Sequence, residues 1–426
     1  MEMNNAVRNL AAPVLMVCAP LSVQANGMRL VSQDAFAAAR GEAFVATANN
    51  PAAIYYNPAG ITQLEGDNLR AGATILYFDP TFRPPSDQRN SDTTYDIQNN
   101  EAIAPQVYYT HSWESSPVSA GVGLYAPYGA SVTWPQDTGF RTLAVEGSLM
   151  YLRVNPVVAL ELAPGFSVAG GVMIDYSSLT QRQGIRPNSR RYDDYFQFRG
   201  DGWGLGFNFG LLWEINEKFS FGATFRSMTT VQYKGETEVV LPPIQRTPWT
   251  TGAQSEYNYP LTAVFGLSYR PTPRWNLEVN LDYTDWSSLD TVTLYQDEAP
   301  PARLPQTVPI NLEWKASWMY EFGVTHYLEN GWQFSAGYFF NQNSVPDDYY
   351  APLVADLDRH FFSVGTGYHG EGWTFDIAYQ FGYGPPRTVT DSVAPSRALQ
   401  IFGGQNGDGT YEWISHAVLV SVGLEF

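Results

Sequence analysis

The sequence predicts an all-β chain, a 14-stranded antiparallel transmembrane β-barrel with a small N-terminal α-helical hatch in its lumen. Three observations carry this expectation. Short turns alternate with long loops along most of the chain. Between them, apolar residues recur at every second position, the period of a strand with two unlike faces. The chain also begins with an export-like leader and ends in an alternating strand that closes on Phe426.

Composition supports the same class. Charged residues are 15% of the 426 positions and aromatics another 15%, with 37 glycines and 27 tyrosines. A soluble domain is about 25% charged. Mean hydropathy is nonetheless slightly negative, which suits strands that show lipid one face and a polar lumen the other. The net charge of −18 argues against nucleic acid or an anionic membrane surface as partner, and acidic outer loops would account for it. The single cysteine, Cys18, falls within the leader, so the mature chain is expected to have no disulfide, thiolate metal site or cysteine nucleophile.

In chain order, residues 1–25 join Arg8, the apolar run Leu10–Leu21 and Val23-Gln24-Ala25. This is the pattern of a secretory signal peptide cleaved near Ala25, and it points to the bacterial outer membrane. Val17 is not the small residue expected before a lipidated cysteine. No later run is long and apolar enough for a membrane-spanning helix. Residues 26–66, rich in small side chains, contain Asn-Pro-Ala twice, at Asn50-Pro51-Ala52 and Asn57-Pro58-Ala59. They form the expected plug, and residues 67–426 the barrel.

The expected strands are 68–80, 103–113, 117–128, 146–162, 166–184, 199–214, 218–239, 255–270, 274–296, 311–327, 331–342, 359–370, 372–384 and 411–426. Trp203, Leu205, Phe207, Phe209, Leu211 and Trp213, with small or polar residues between them, show the alternation plainly. Half of a soluble sandwich would alternate too. Long strands, aromatic ends and glycines on the inward face count against that reading. Tight turns at 114–116, 163–165, 215–217, 271–273, 328–330 and 370–371 alternate with long segments such as 129–145, 185–198 and 385–410, as periplasmic turns alternate with outer loops.

No chemistry-bearing motif emerges. The histidines at 111, 326, 360, 369 and 416 lack metal-ligand spacing, and neither a nucleophile elbow nor a phosphate loop is present. Gly200, Gly202, Gly204 and Gly206 sit at strand spacing. The expectation is therefore no enzyme, no cofactor and no metal. Two outer segments do resemble a binding surface. One combines Arg186, Arg190 and Arg191 with Tyr192, Tyr195, Phe196 and Phe198, and the other carries Leu241, Ile244 and Trp249. Apolar side chains there must pack on one another or meet an apolar ligand. Arginines beside aromatics would suit an anionic head group or lipopolysaccharide.

The chain resembles the FadL/TodX family of outer-membrane transporters for long-chain fatty acids and other hydrophobic compounds. The resemblance rests on Ala39-Arg40-Gly41-Glu42-Ala43, Ala48-Asn49-Asn50-Pro51 and Tyr56-Asn57-Pro58-Ala59-Gly60 in the plug. Further along it rests on Tyr128–Trp134, Gly202-Trp203-Gly204, Tyr233-Lys234-Gly235, Asp285-Trp286-Ser287, Ser344-Val345-Pro346 and Leu357-Asp358-Arg359. It implies a hatch signature at Asn57, Pro58 and Ala59. It also implies a kinked third strand, here 117–128, that leaves a lateral opening near Gly121, Gly123, Pro127 and Gly129. Pro127 cannot donate a ladder hydrogen bond, and the two glycines are expected to weaken pairing. Substrate capture between the third and fourth outer loops would map onto Arg186, Tyr192, Tyr195, Phe196, Phe198, Leu241, Ile244 and Trp249. The implied partners are a fatty acid or other hydrophobic molecule, outer-membrane lipid and lipopolysaccharide, with the chain a monomer. Aromatic or aliphatic hydrocarbons are the alternative substrate, and a general porin or an adhesive barrel the alternative function.

Overall fold

In a computed structural model, residues 27–88, 90–189, 191–244 and 247–426 are described. The expected signal peptide and Arg190 lie outside the described residues. The first six barrel strands are β1 (Gly66–Arg83), β2 (Glu101–Ser112), β3 in two pieces (Val118–Tyr125 and Gly129–Thr133), β4 (Glu146–Ala163), β5 (Phe166–Gln183) and β6 (Tyr195–Asn216). The next four are each interrupted once: β7 (Phe219–Arg226, Thr229–Val240), β8 (Trp249–Tyr259, Thr262–Thr272), β9 (Trp275–Thr284, Thr291–Gln296) and β10 (Thr307–Asn311, Ser317–Tyr327). Then follow β11 (Trp332–Asn341), β12 (Arg359–Gly370), β13 (Trp373–Val389) and β14 (Gly409–Glu425). Neighbours are antiparallel, and β14 returns to β1 from Asn68↔Glu425 to Arg83↔Thr410, so the 14-stranded barrel closes on itself.

The two faces divide as period 2 demands. On β6, Trp203 (66% exposed), Leu205 (70%) and Phe209 (54%) point outward, while Gly204, Asn208 and Gly210 are buried inside. Trp113, Trp213, Trp275, Trp332 and Trp373 stand exposed beside the short turns, forming an aromatic belt at one membrane boundary. Inside the wall lies the hatch, from residue 27 to the start of β1. Its regular parts are short: α1 (Ala35–Ala39), α2 (Ala53–Tyr56) and a 3-10 turn (Pro58–Gln63). Nearly all of it is buried, alanines and glycines letting the backbone approach the wall closely.

Several outer strand ends run further than expected. β6 starts at Tyr195 rather than residue 199, β8 at Trp249 rather than 255, and β13 continues to Val389. These stretches read as loops in sequence. Each nonetheless has a partner strand to satisfy its backbone, as where Phe196 and Phe198 lie opposite Val239 and Thr237 of β7.

Candidate functional site

The hatch signature sits on the wall through one side chain. Asn57 is extended, as the residue before a proline must be, and Pro58 opens the 3-10 turn with its φ already set. The Asn57 side-chain oxygen accepts from the Ala59 N–H at 3.2 Å. Its amide nitrogen donates to the carbonyls of Val45 (2.8 Å) in the hatch and Leu211 (2.9 Å) in β6. Beneath it lies Gly210, where a Cβ would strike the Asn57 oxygen and the Pro58 ring.

Buried ion pairs complete the anchoring. Arg70 of β1 reaches Asp34 of the hatch at 2.5 Å and Asp376 of β13 at 2.8 Å. Asp34 also caps α1, accepting from the N–H groups of Phe36 and Ala37. Arg29 is held by Asp282 at 2.7 Å, and Arg40 donates to Asn276 and lies 3.5 Å from Glu278. A charge this deep is tolerated only with its partner in place.

The wall is interrupted at β3. Its ladder with β2 ends at Val107↔Leu124, whereas its pairing with β4 resumes at Gly129↔Met150. Ala126, Pro127 and Tyr128 form the break, and Pro127 has no N–H to give. The start of the hatch takes over as a pairing partner. Leu30 N–H donates to the Pro127 carbonyl (2.9 Å), Gly129 N–H donates to the Met28 carbonyl (3.0 Å), and the Gln33 amide donates to the Ala126 carbonyl (2.8 Å). Gly121 and Gly123 are not part of the interruption. Both are paired to β2 and β4, because a glycine keeps its backbone donor and acceptor. What the missing side chains provide is room for Ile54 of α2, which lies against both.

Directly beside the break, at the long-loop end of the barrel, is an apolar cavity of about 110 Å³. Met28 forms one side of it. Phe196 and Phe198 of β6, Leu294 of β9, Val308 of β10, and Trp314, Leu353 and Leu399 enclose the rest. Arg182 of β5 is the one charged side chain among the described lining residues. Its guanidinium lies 3.9 Å from the centre of the Tyr195 ring and 4.0 Å from Glu146, with its Nε buried and without a partner. The Ser396 hydroxyl is likewise buried and unpartnered in this lining.

Of the expected groove, then, only Phe196 and Phe198 line this cavity. Tyr195 donates to Glu238, and Trp249 packs at the edge of the apolar core. Leu241 is fully buried and Ile244 is 60% exposed. Tyr192 lies on a separate polar cleft. Arg186 pairs with Asp193 (3.6 Å) and Asp194 (3.4 Å). Asp194 is the hub of this loop, accepting from Arg141 at 3.0 Å and from the N–H groups of Ile185 and Arg186. Burial works against its charge, but hydrogen bonds from Ser189 and the Arg186 N–H, with Arg141 beside it, hold its carboxyl below the usual range. The remaining cavity residues escaped sequence reasoning because they come from separate strands and loops.

Comparison with known proteins matches this geometry. Residues 16–421 fit the model of a family described as outer membrane protein transport protein (OMPP1/FadL/TodX). A putative outer membrane protein of Neisseria meningitidis serogroup B is 23% identical over 406 residues, covering 85% of this chain and 86% of that protein. The long-chain fatty acid transport protein of Escherichia coli K12 is 25% identical over 367 residues, 76% of this chain and 79% of that one. Among solved structures, a Pseudomonas aeruginosa FadL homologue superposes with a TM-score of 0.81 at 17% identity, covering 94% of this chain and 100% of its own. The Pseudomonas putida toluene transporter TodX gives 0.69 at 14% identity, covering 95% and 99%. The chain belongs to the OMPP1/FadL/TodX family: it is a bacterial outer-membrane β-barrel transporter of hydrophobic compounds.

Proposed function

We propose that the protein takes up long-chain fatty acids passively, holding them in the apolar cavity beside the hatch and releasing them sideways at the break in β3. The observation that carries this reading is the placement of Met28, which lines the cavity and pairs across the break. Displacing it would join the two spaces. A hydrophobic molecule gains nothing from a water-filled bore, where it stays hydrated throughout. A dry pocket with a lateral exit lets it partition into lipid, a favourable transfer that needs no other energy source. The cavity as it stands holds the volume of only about four waters, so an acyl chain must push side chains apart as it enters. A hatch tied to the wall at Asn57, Asp34 and Arg40 weighs against a general porin.

Arg182 is the group that favours a carboxylate over a hydrocarbon. Its cation borders a mostly apolar lining and keeps an unpartnered N–H. The aromatic side chains Phe196, Phe198 and Trp314 support the second reading, an aromatic hydrocarbon such as toluene. Uptake of labelled oleate and toluene, in cells lacking their own transporter, separates the two. Oleate should enter faster when the protein is present. Arg182→Ala should slow oleate by about tenfold, the loss of one charge-assisted hydrogen bond, and leave toluene unaffected. If neither compound enters faster, transport of both is refuted.

A further inference from the structure

The outer loops enclose a second, larger space, an open cleft of about 1420 Å³. The segment 392–400 contributes side chains to both this cleft and the apolar cavity, and Ala394 lines both. The chemistry of the two spaces is opposite. The cleft is lined mainly by amides, hydroxyls and glycine, with Asp137 and Arg397 as its charged members among the described residues.

We propose that this cleft is a binding site for a neutral saccharide. The assignment starts from how the amides are held. Gln136 accepts from Arg141 at 2.9 Å, and Gln405 accepts from the Thr142 N–H at 2.9 Å. Asn406 donates to Asp408 at 2.7 Å, and Gln400 donates to the Gln405 carbonyl at 2.8 Å. In each case one end of the amide is fixed by the protein. The other end has no protein partner among the described residues, leaving the Gln136 and Gln405 nitrogens as donors and the Asn406 and Gln400 oxygens as acceptors. Such a mixed set matches sugar hydroxyls, each of which donates and accepts, and prior fixing reduces the entropy lost on binding. An apolar ligand would leave these groups unsatisfied. An anion would call for a cluster of cations, whereas the described lining carries one cation, Arg397, and one anion, Asp137. Tyr192 adds an aromatic ring, 38% exposed and held 5.4 Å from the Arg141 guanidinium. It offers the flat surface on which the apolar face of a sugar ring packs.

Two sources could supply the sugar: the head group of an amphiphile whose tail enters the apolar cavity, or the polysaccharide of lipopolysaccharide in the surrounding leaflet. The site itself does not depend on the transport reading, because its occupancy is measured without flux. The protein, held in a sugar-free amphipathic polymer, is titrated with maltotriose, dodecyl maltoside, polysaccharide-bearing lipopolysaccharide and dodecanoate. The double variant Gln88→Ala, Asn188→Ala removes two cleft side chains that form no hydrogen bond of their own among the described residues. It should weaken saccharide binding about tenfold, and Tyr192→Ala should do the same. Dodecanoate binding to the double variant should not change. If Leu294→Trp in the apolar cavity weakens dodecyl maltoside but not maltotriose, the sugar belongs to an amphiphile. If the double variant weakens lipopolysaccharide binding and Leu294→Trp does not, the sugar is that of lipopolysaccharide. The proposal is overturned if no sugar-bearing probe binds, or if sugar binding is the same in both cleft variants as in the wild type.

Discussion

The two Asn-Pro-Ala triplets of the hatch have the same sequence and the same local turn, yet they do different jobs. In both, the asparagine oxygen accepts from the N–H two residues on, at 2.9 Å for Asn50 and 3.2 Å for Asn57. The amide nitrogens then diverge. Asn50 is half-buried and donates to Asp34, within the hatch, at 3.2 Å, its one such bond among the described residues. Asn57 is fully buried and bridges the hatch to β6. A motif thus specifies a turn, while its place in the barrel decides whether that turn becomes an anchor.

Four substitutions put this contrast to the test. Asp34→Ala should have the largest effect, about 3–5 kcal/mol, because it removes the α1 cap and half of the pairing of buried Arg70; a urea midpoint followed by tryptophan fluorescence measures it. Gly210→Leu comes next, at about 3 kcal/mol, since the added side chain occupies the seat of Asn57 and Pro58. Protease cleavage within residues 40–60 should then appear in the intact barrel. Asn57→Ala should cost about 2–3 kcal/mol by stranding the carbonyls of Val45 and Leu211, with faster amide exchange at Ala59 and Gly60. Asn50→Ala should cost only about 1 kcal/mol, a lost turn bond at a site water can reach, and leave that exchange as it was. Equal effects at Asn50 and Asn57 would erase the distinction between turn and anchor.

The barrel was legible because period-2 alternation is imposed residue by residue on any strand between lipid and lumen. Trp203 to Trp213 could hardly be read otherwise. The outer ends of β6 and β8 were not, because above the membrane nothing requires an apolar outward face. The stretches from Tyr195 and from Trp249, next to arginine- and proline-bearing segments, therefore looked like loop. The hatch could be found from its small residues and Asn57-Pro58-Ala59, but not its attachment. That attachment depends on Gly210, Asp282 and Asp376, which lie far along the chain. The groove was half-seen for the same reason: Phe196 and Phe198 stand together in sequence, while Leu294, Trp314, Leu353 and Leu399 meet them only in the folded chain. Gly121 and Gly123 were misread, since glycine suggested weak pairing where it serves close packing on Ile54.

The pairing of residues 28–30 with the break in β3 has a consequence for the cell's permeability barrier. These residues lie at the start of the described part of the hatch, and the anchors at Asp34, Arg40 and Asn57 all follow them in the chain. Lifting this end from Pro127 and Gly129 would break the Arg29 pair with Asp282 and breach the side wall, while leaving those three in place. Were the proposed lateral exit used, the door in the side would open at the cost of the Arg29–Asp282 pair while the stopper in the bore stayed tied, and a greasy molecule would leave without ions or antibiotics leaking in behind it.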